Sequence, residues 1–310
     1  LERSEGGRRS PGMGIWSAAY IAAVARALSG WATYCVERRI PTRPTGVGFD
    51  GYADWLRGSA GGVSPRTIAD YLGRILTGFE AVLEPGTRSP GARWVVEDCE
   101  QRSRSAGATT KAAAGIVPAS RLYALGWDLI EEARATRYLG VDAARRYRNG
   151  LLLVIAVSLP ERARALAALN FATTFRLAER PLIEVSLPGA VLKQREHQKG
   201  RHPFHATLSS GVLWDALDEY RRIYRPIFDP GTSLFPSIHA RGASISEGRI
   251  GQLVAELTER RLGVRVSVHR VRDCVATEAS EEFVHGGLLA PVLLRHRDAR
   301  TTRRFYDHAE

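Results

Sequence analysis

The sequence predicts a mainly α-helical protein with a small antiparallel β-sheet, in two domains: one helical, the other mixed α/β. Three observations predict this. Apolar residues recur at helical spacing through residues 15–98 and again from residue 118. Short β-like runs bounded by turn residues cluster between residues 170 and 209. A stretch without periodicity, 99–116, separates two segments each long enough to bury a core.

Residues 1–14, "LERSEGGRRSPGMG", lack the apolar core of a secretory signal and read as a disordered lead-in. The first domain, 15–98, opens with "IWSAAYIAAVARALSGWATYCVERR", apolar at helical spacing and free of interior proline. "SPRTIADYLGRILTGFEAVLEPG" follows, with Ser64 as N-cap, Pro65 at the first helical position and a stop at Pro85-Gly86. Its residues Ile68, Tyr71, Leu72, Ile75, Leu76 and Phe79 form one stripe. The small, polar and basic run 99–116 reads as an interdomain linker.

The second domain, 117–310, begins with two helical stretches, "PASRLYALGWDLIEEAR" and "RRYRNGLLLVIAVSLPERARALAAL". Three strands are expected at "NFATTFRL", "PLIEVSLP" and "HPFHATLS". Helices return with "SGVLWDALDEYRRIY", "GRIGQLVAELTERRLG", "VHRVRDCVATEASEEF" and the final stretch. There is no internal repeat and no GxxxxGK[ST] phosphate loop.

Lys and Arg number 44 against 33 Asp and Glu, a net charge of +11, which points to a polyanionic partner. An anionic membrane surface is the rival reading. Apolar runs such as "LLLVIAVSLP" are too short to span a bilayer, so no membrane partner is expected. Cys35, Cys99 and Cys274 form no CxxC pair and no disulfide framework, which fits a reducing cytoplasm and argues against a structural metal site.

Several cations of the second domain could face a phosphate. His269 and Arg272 in "VHRVRD" are three apart and share a helical face. Arg162 begins a helix that leads into the first strand, and Lys199-Gly200 in "REHQKGRHPFHATL" reads as a hairpin bend. His296 lies ten residues before Tyr306, which follows five arginines between 295 and 304. Singly, each has an ordinary reading: a capping histidine, solvated arginines, a turn lysine, a packing tyrosine. Their order and spacing change the weighing.

Read as Arg … Lys … His-x-x-Arg … His … Tyr, residues 115–310 resemble the tyrosine recombinase (phage integrase) family. "RARALAALNF" resembles the family's first-arginine segment, "LGVRVSVHRVRDCVATEA" its His-x-x-Arg segment, and "LLRHRDARTTRRFYDHA" its ending with the tyrosine. Ala165, Asp273 and Arg295 depart from that pattern. The resemblance implies a helical core-binding domain followed by a mixed α/β catalytic domain. It also implies a site made of Arg162, Lys199, His269, Arg272, His296 and Tyr306, with Lys193 as the competing lysine.

By this resemblance Arg162 and Arg272 clamp the nonbridging oxygens of a phosphodiester and His296 donates to them. Tyr306 attacks phosphorus, His269 serves as general base, and Lys199 protonates the departing 5′ oxygen. No cofactor and no metal enters that chemistry. The implied partner is double-stranded DNA, held by a homo-tetramer, with accessory DNA-bending proteins left open. Two other readings stay open: a type IB topoisomerase-like enzyme, which needs one DNA site rather than two, and a DNA-binding protein that forms no covalent adduct.

Overall fold

The computed structural model describes residues 16, 18–59, 62–83, 89–105, 116–192, 203–282 and 293–294. The chain divides into two compact units, Leu1–Lys111 and Ala112–Glu310. Among the described residues no helix is long and apolar enough to cross a membrane.

The first unit holds helices α1 (Ala18–Arg38), α2 (Gly46–Gly58), α3 (Pro65–Gly78) and α4 (Pro90–Ser105). Ser64 caps α3, its hydroxyl accepting from Thr67 N, with Pro65 in the first turn where its missing N–H is no loss. The expected stripe faces the core: Ile68, Leu72, Ile75, Leu76 and Phe79 are buried. The first four pack with a cluster of rings in which Trp31 meets Phe49 and Tyr52 edge-on at 5.3 and 5.4 Å. Trp31 Nε1 donates to Thr42 O at 2.7 Å, which satisfies the one polar atom of that ring. The sequence placed a linker from Cys99, but α4 runs through Ser105. Cys99 is buried in this core and Asp98 pairs with Arg102 one turn on, so packing extends the helix past the point where apolar periodicity fades.

The second unit is built on α5 (Ala119–Arg134) and α6 (Val141–Ser158), which cross at two glycines. A Cβ on Gly150 would fall 2.5 Å from Gly126 O and 2.8 Å from Ile130 Cγ1. Leu151 to Ile155 are all fully buried, so α6 is the central rod of the core. The apolar run expected to continue into the next helix breaks at Leu159-Pro160, because proline cannot donate to the helical ladder. A separate short helix α7 (Ala163–Ala167) follows.

Strands β1 (Phe175–Leu177), β2 (Leu182–Leu187) and β3 (Phe204–Ser209) form one antiparallel sheet in the order β1-β2-β3. On β2 the alternation buries Ile183, Val185 and Leu187. The first strand is shorter than expected. Asn170 O accepts from the backbone of Thr173, Thr174 and Phe175 and folds residues 171–174 into a turn. Leu187 pairs with Phe204, so the chain between β2 and β3 joins two neighbouring strands. Lys193 and Lys199, on that connection, lie outside the described residues, as do His296 and Tyr306.

Helices α8 (Gly211–Glu219), α9 (Glu247–Leu262) and α10 (Val268–Glu282) complete the unit. Between α8 and α9, buried Arg225 pins a long loop, donating to Ser233 O at 2.6 Å, Asp229 O at 2.9 Å and Asp229 Oδ1 at 2.9 Å. Asp229 in turn accepts from Gly231 N and Gly242 N at 2.7 and 3.1 Å. Cys274 of α10 is sealed in the core, its Sγ accepting from Val117 N at 3.5 Å, and burial pushes its thiol up to about 11 from 9.0.

Two expected outcomes follow from this packing. Gly150→Ala forces the α5–α6 crossing apart and lowers the unfolding free energy by about 1–3 kcal/mol; an unchanged urea midpoint would contradict the crossing. Because the folded Cys274 thiol holds its proton more tightly than the unfolded one, its contribution is complete below pH 9 and lost as pH rises toward 11. The loss reaches about 2–3 kcal/mol. Denaturation at a series of alkaline pH values should show a shallower fall for Cys274→Ala than for the unaltered chain, and identical slopes would count against it.

Candidate active site

Arg162 stands where the chain leaves the proline break and enters α7. Its backbone is extended, φ −74° and ψ 155°, and its carbonyl accepts from Ala165 N and Leu166 N at 2.9 and 3.1 Å, which starts the helix. The side chain is partly buried and lines a cleft of about 590 Å³. His269, in the first turn of α10, is exposed and lines the same cleft. Ser267 precedes it and opens that helix: its hydroxyl accepts from Arg270 N at 3.3 Å and its carbonyl from Val271 N at 3.0 Å.

Other walls come from the start of α9, through Glu247 and Gly251, and from Val191 and Leu192 beyond β2. Leu192 is the residue before Lys193, so the connection carrying both candidate lysines departs from the edge of the cleft. Arg164 reaches Glu247 at 3.8 Å; both are well exposed, so this pair contributes little to stability. Among the described lining residues Arg162 and Arg164 stand against one carboxylate, Glu247, with His269 beside them, so the cleft is cationic and suits an anion.

Arg272 differs from the expectation of a clamp sharing an open face with His269. It is 1% exposed. One terminal nitrogen donates to Pro160 O and the other to Leu294 O at 2.8 Å. The physical reason is depth. His269 sits at the mouth of α10, whereas Arg272, one turn further in, points beneath the chain and meets two backbone carbonyls there. Pro160 is two residues before Arg162, and Leu294 two before His296. A single guanidinium therefore ties three of the motif segments together.

Neighbouring Asp273 is fully buried, with Arg270 Nη1 at 3.5 Å from its Oδ2. Sequence reasoning missed the carbonyl anchor of Arg272, since backbone acceptors leave no mark in the residue pattern. Proline two residues ahead of Arg162 was the available signal, because it frees the backbone from helix.

No protein-family model matches the sequence. No curated protein matches it significantly. Among solved structures, the XerH site-specific recombinase bound to its difH substrate, in a pre-cleavage complex, aligns with a TM-score of 0.63 at 17% identity, covering 94% of this chain and 76% of that one. XerA recombinase aligns at TM-score 0.44 and 16% identity over 92% of this chain and 94% of that one. An integrase from mycobacterium phage Brujita aligns at 0.36 and 17% over 93% and 84%. The superposition on XerH shows that this chain shares the fold of that structure.

Proposed function

We propose that the protein is a site-specific DNA recombinase or integrase that cleaves and rejoins duplex DNA through a 3′-phosphotyrosyl intermediate. The observation that carries this is the convergence of Arg162 and His269, far apart in sequence, on one cationic cleft. The fold it shares with XerH, a recombinase captured on its substrate before cleavage, supports it.

In this reading the scissile phosphate enters the cleft, and Arg162 donates to its nonbridging oxygens as equatorial charge grows. His269 takes the proton of the Tyr306 hydroxyl, whose oxygen attacks phosphorus. The P–O bond to the 5′ oxygen breaks, and that oxygen leaves with a proton from Lys199 or Lys193. His296 supplies a further donor. Arg272 acts through position: it ties the backbone at Pro160, which leads to Arg162, to the backbone at Leu294. Attack by a 5′ hydroxyl on the phosphotyrosine reverses each step and rejoins the strand. The helical first unit serves as the core-binding domain and the second unit as the catalytic domain, on double-stranded DNA as a homo-tetramer in the cytoplasm.

A nicked duplex that loses its 5′ fragment should trap a covalent adduct that maps to Tyr306, and Tyr306→Phe should abolish the adduct while leaving duplex binding intact. An adduct that persists in that variant would reject the assignment. Adduct formation and relaxation of supercoils on a substrate with one site, without joining of paired sites, would point to the topoisomerase-like reading.

The lysine role has its own measurement. Lys199→Ala should lose roughly 10²–10⁴-fold in cleavage of normal DNA. It should regain most of this when sulfur replaces the bridging 5′ oxygen, because that leaving group needs no proton. Rescue of Lys193→Ala alone would move the role to Lys193, and equal rescue of Arg162→Ala would dissolve the distinction between proton donor and clamp.

A further inference from the structure

Across α9 from the candidate active site lies a second cavity, of about 500 Å³. Glu247, Gly248 and Gly251 line the first cleft, whereas Arg249, Leu253, Glu256 and Arg260 line the second. At 3.6 residues per turn these sets occupy opposite faces of the helix. The two sites are therefore separate.

The second cavity has Arg148 of α6 in its wall, 4% exposed. Its Nε and Nη2 donate to Asn149 Oδ1 at 3.2 and 2.9 Å, its Nη1 donates to Pro236 O at 2.7 Å, and the guanidinium lies 5.2 Å from the Phe228 ring centroid. A guanidinium has five N–H donors, so two are left over once these three bonds are made. None of its partners among the described residues is a carboxylate. Burial above all, with Arg145 and Arg249 adding to it, pulls its pKa down to about 10 from 12.5. A cation this deep without a counter-charge is costly.

The charges around it do not supply the missing one. Arg249 is matched by Glu256 at 2.9 Å, and Arg145 by Asp142 at 2.8 Å. Arg260, exposed and one turn beyond Glu256, shares that carboxylate's field with Arg249. His239 also lines the cavity. Ser237 Oγ accepts from His239 N and Ala240 N at 3.1 and 3.2 Å, which leaves its own proton to donate. Tying α6 to Pro236 would explain Arg148 alone, but not the gathering of Arg145, Arg249 and Arg260 with it in the lining of one cavity. Four arginines, Arg145, Arg148, Arg249 and Arg260, face two carboxylates, Glu256 and Asp142, and that excess of two suits a phosphate dianion better than a single carboxylate.

We propose that this cavity is a phosphate-binding site, distinct from the cleft that holds Arg162, for a phosphoryl group carried by a small molecule or by a DNA backbone. The test is calorimetric titration of the full chain with inorganic phosphate at fixed ionic strength, alongside thermal unfolding. Saturable binding and a rise of several degrees in Tm at saturating phosphate are expected. Arg162→Ala should keep both. Arg260→Gln, an exposed change that leaves the core intact, should weaken binding about tenfold or more. Arg148→Lys keeps the charge and removes the fork, so it should weaken binding similarly; if it does not fold, Arg260→Gln decides alone.

The two sources separate by competition in the Arg162→Ala background. Displacement of phosphate by a phosphomonoester but not by a short duplex assigns a small molecule, and displacement by the duplex assigns the backbone. No saturable binding, or binding lost in Arg162→Ala and kept in Arg260→Gln, would overturn the proposal. So would saturable binding of a glutamate-rich peptide by a chain that ignores phosphate. None of these outcomes depends on whether Tyr306 attacks DNA.

Discussion

The buried guanidinium of Arg272 is the contact on which the second unit depends. It donates to Pro160 O on one side and to Leu294 O on the other, from the second turn of α10. Those carbonyls belong to stretches far apart in sequence, one leading to Arg162 and the other to His296. Backbone carbonyls are fixed acceptors. A planar fork that reaches two of them at once specifies direction as well as distance. Lysine, with its charge at a point, could not hold both in one plane. Arginine at this position is thus explained by geometry before any contact with a substrate is considered.

Arginine plays three different parts in this unit, and surroundings decide among them. Arg225 is buried with its counter-charge, Asp229, at 2.9 Å, and works as a structural pin. Arg162 sits half-buried on a cleft open to an anion. Arg148 is as buried as Arg225 but meets only neutral acceptors among the described residues. Helix α9 separates the Arg162 cleft from the Arg148 cavity, presenting small residues and Glu247 to one and Arg249 and Arg260 to the other. Low dielectric strengthens whatever each guanidinium meets, which is why the same residue type can lock a loop or await a ligand.

Much of the fold was legible in the sequence, for local reasons. Ser64 followed by Pro65 announces a helix start, and the apolar stripe from Ile68 to Phe79 gives its buried face. The alternation in "PLIEVSLP" fixes which side of β2 is buried. The order of Arg162, His269 and Arg272 pointed to one site, and two of the three share a cleft. What escaped is set by tertiary contact. Cys99 extends α4 because it finds a core, and no local pattern records that. The spacing of His269 and Arg272 gave a common face but not depth, so their different exposures could not be read from it. Arg148 did leave a trace: it lies one turn from Leu151 and Leu152, a charge on an apolar face. Burial without a carboxylate became visible only once Asn149 and Pro236 were placed around it.

The central claim is that Arg272 couples the Arg162 segment to the segment before His296. Hydrogen exchange on Arg272→Met tests it most directly, since the side chain keeps its length and loses every donor. The account predicts that amide protection falls together in α7 and around Leu294, while α1 to α4 of the first unit keep theirs. Loss confined to α10, or protection unchanged at both remote stretches, would contradict it.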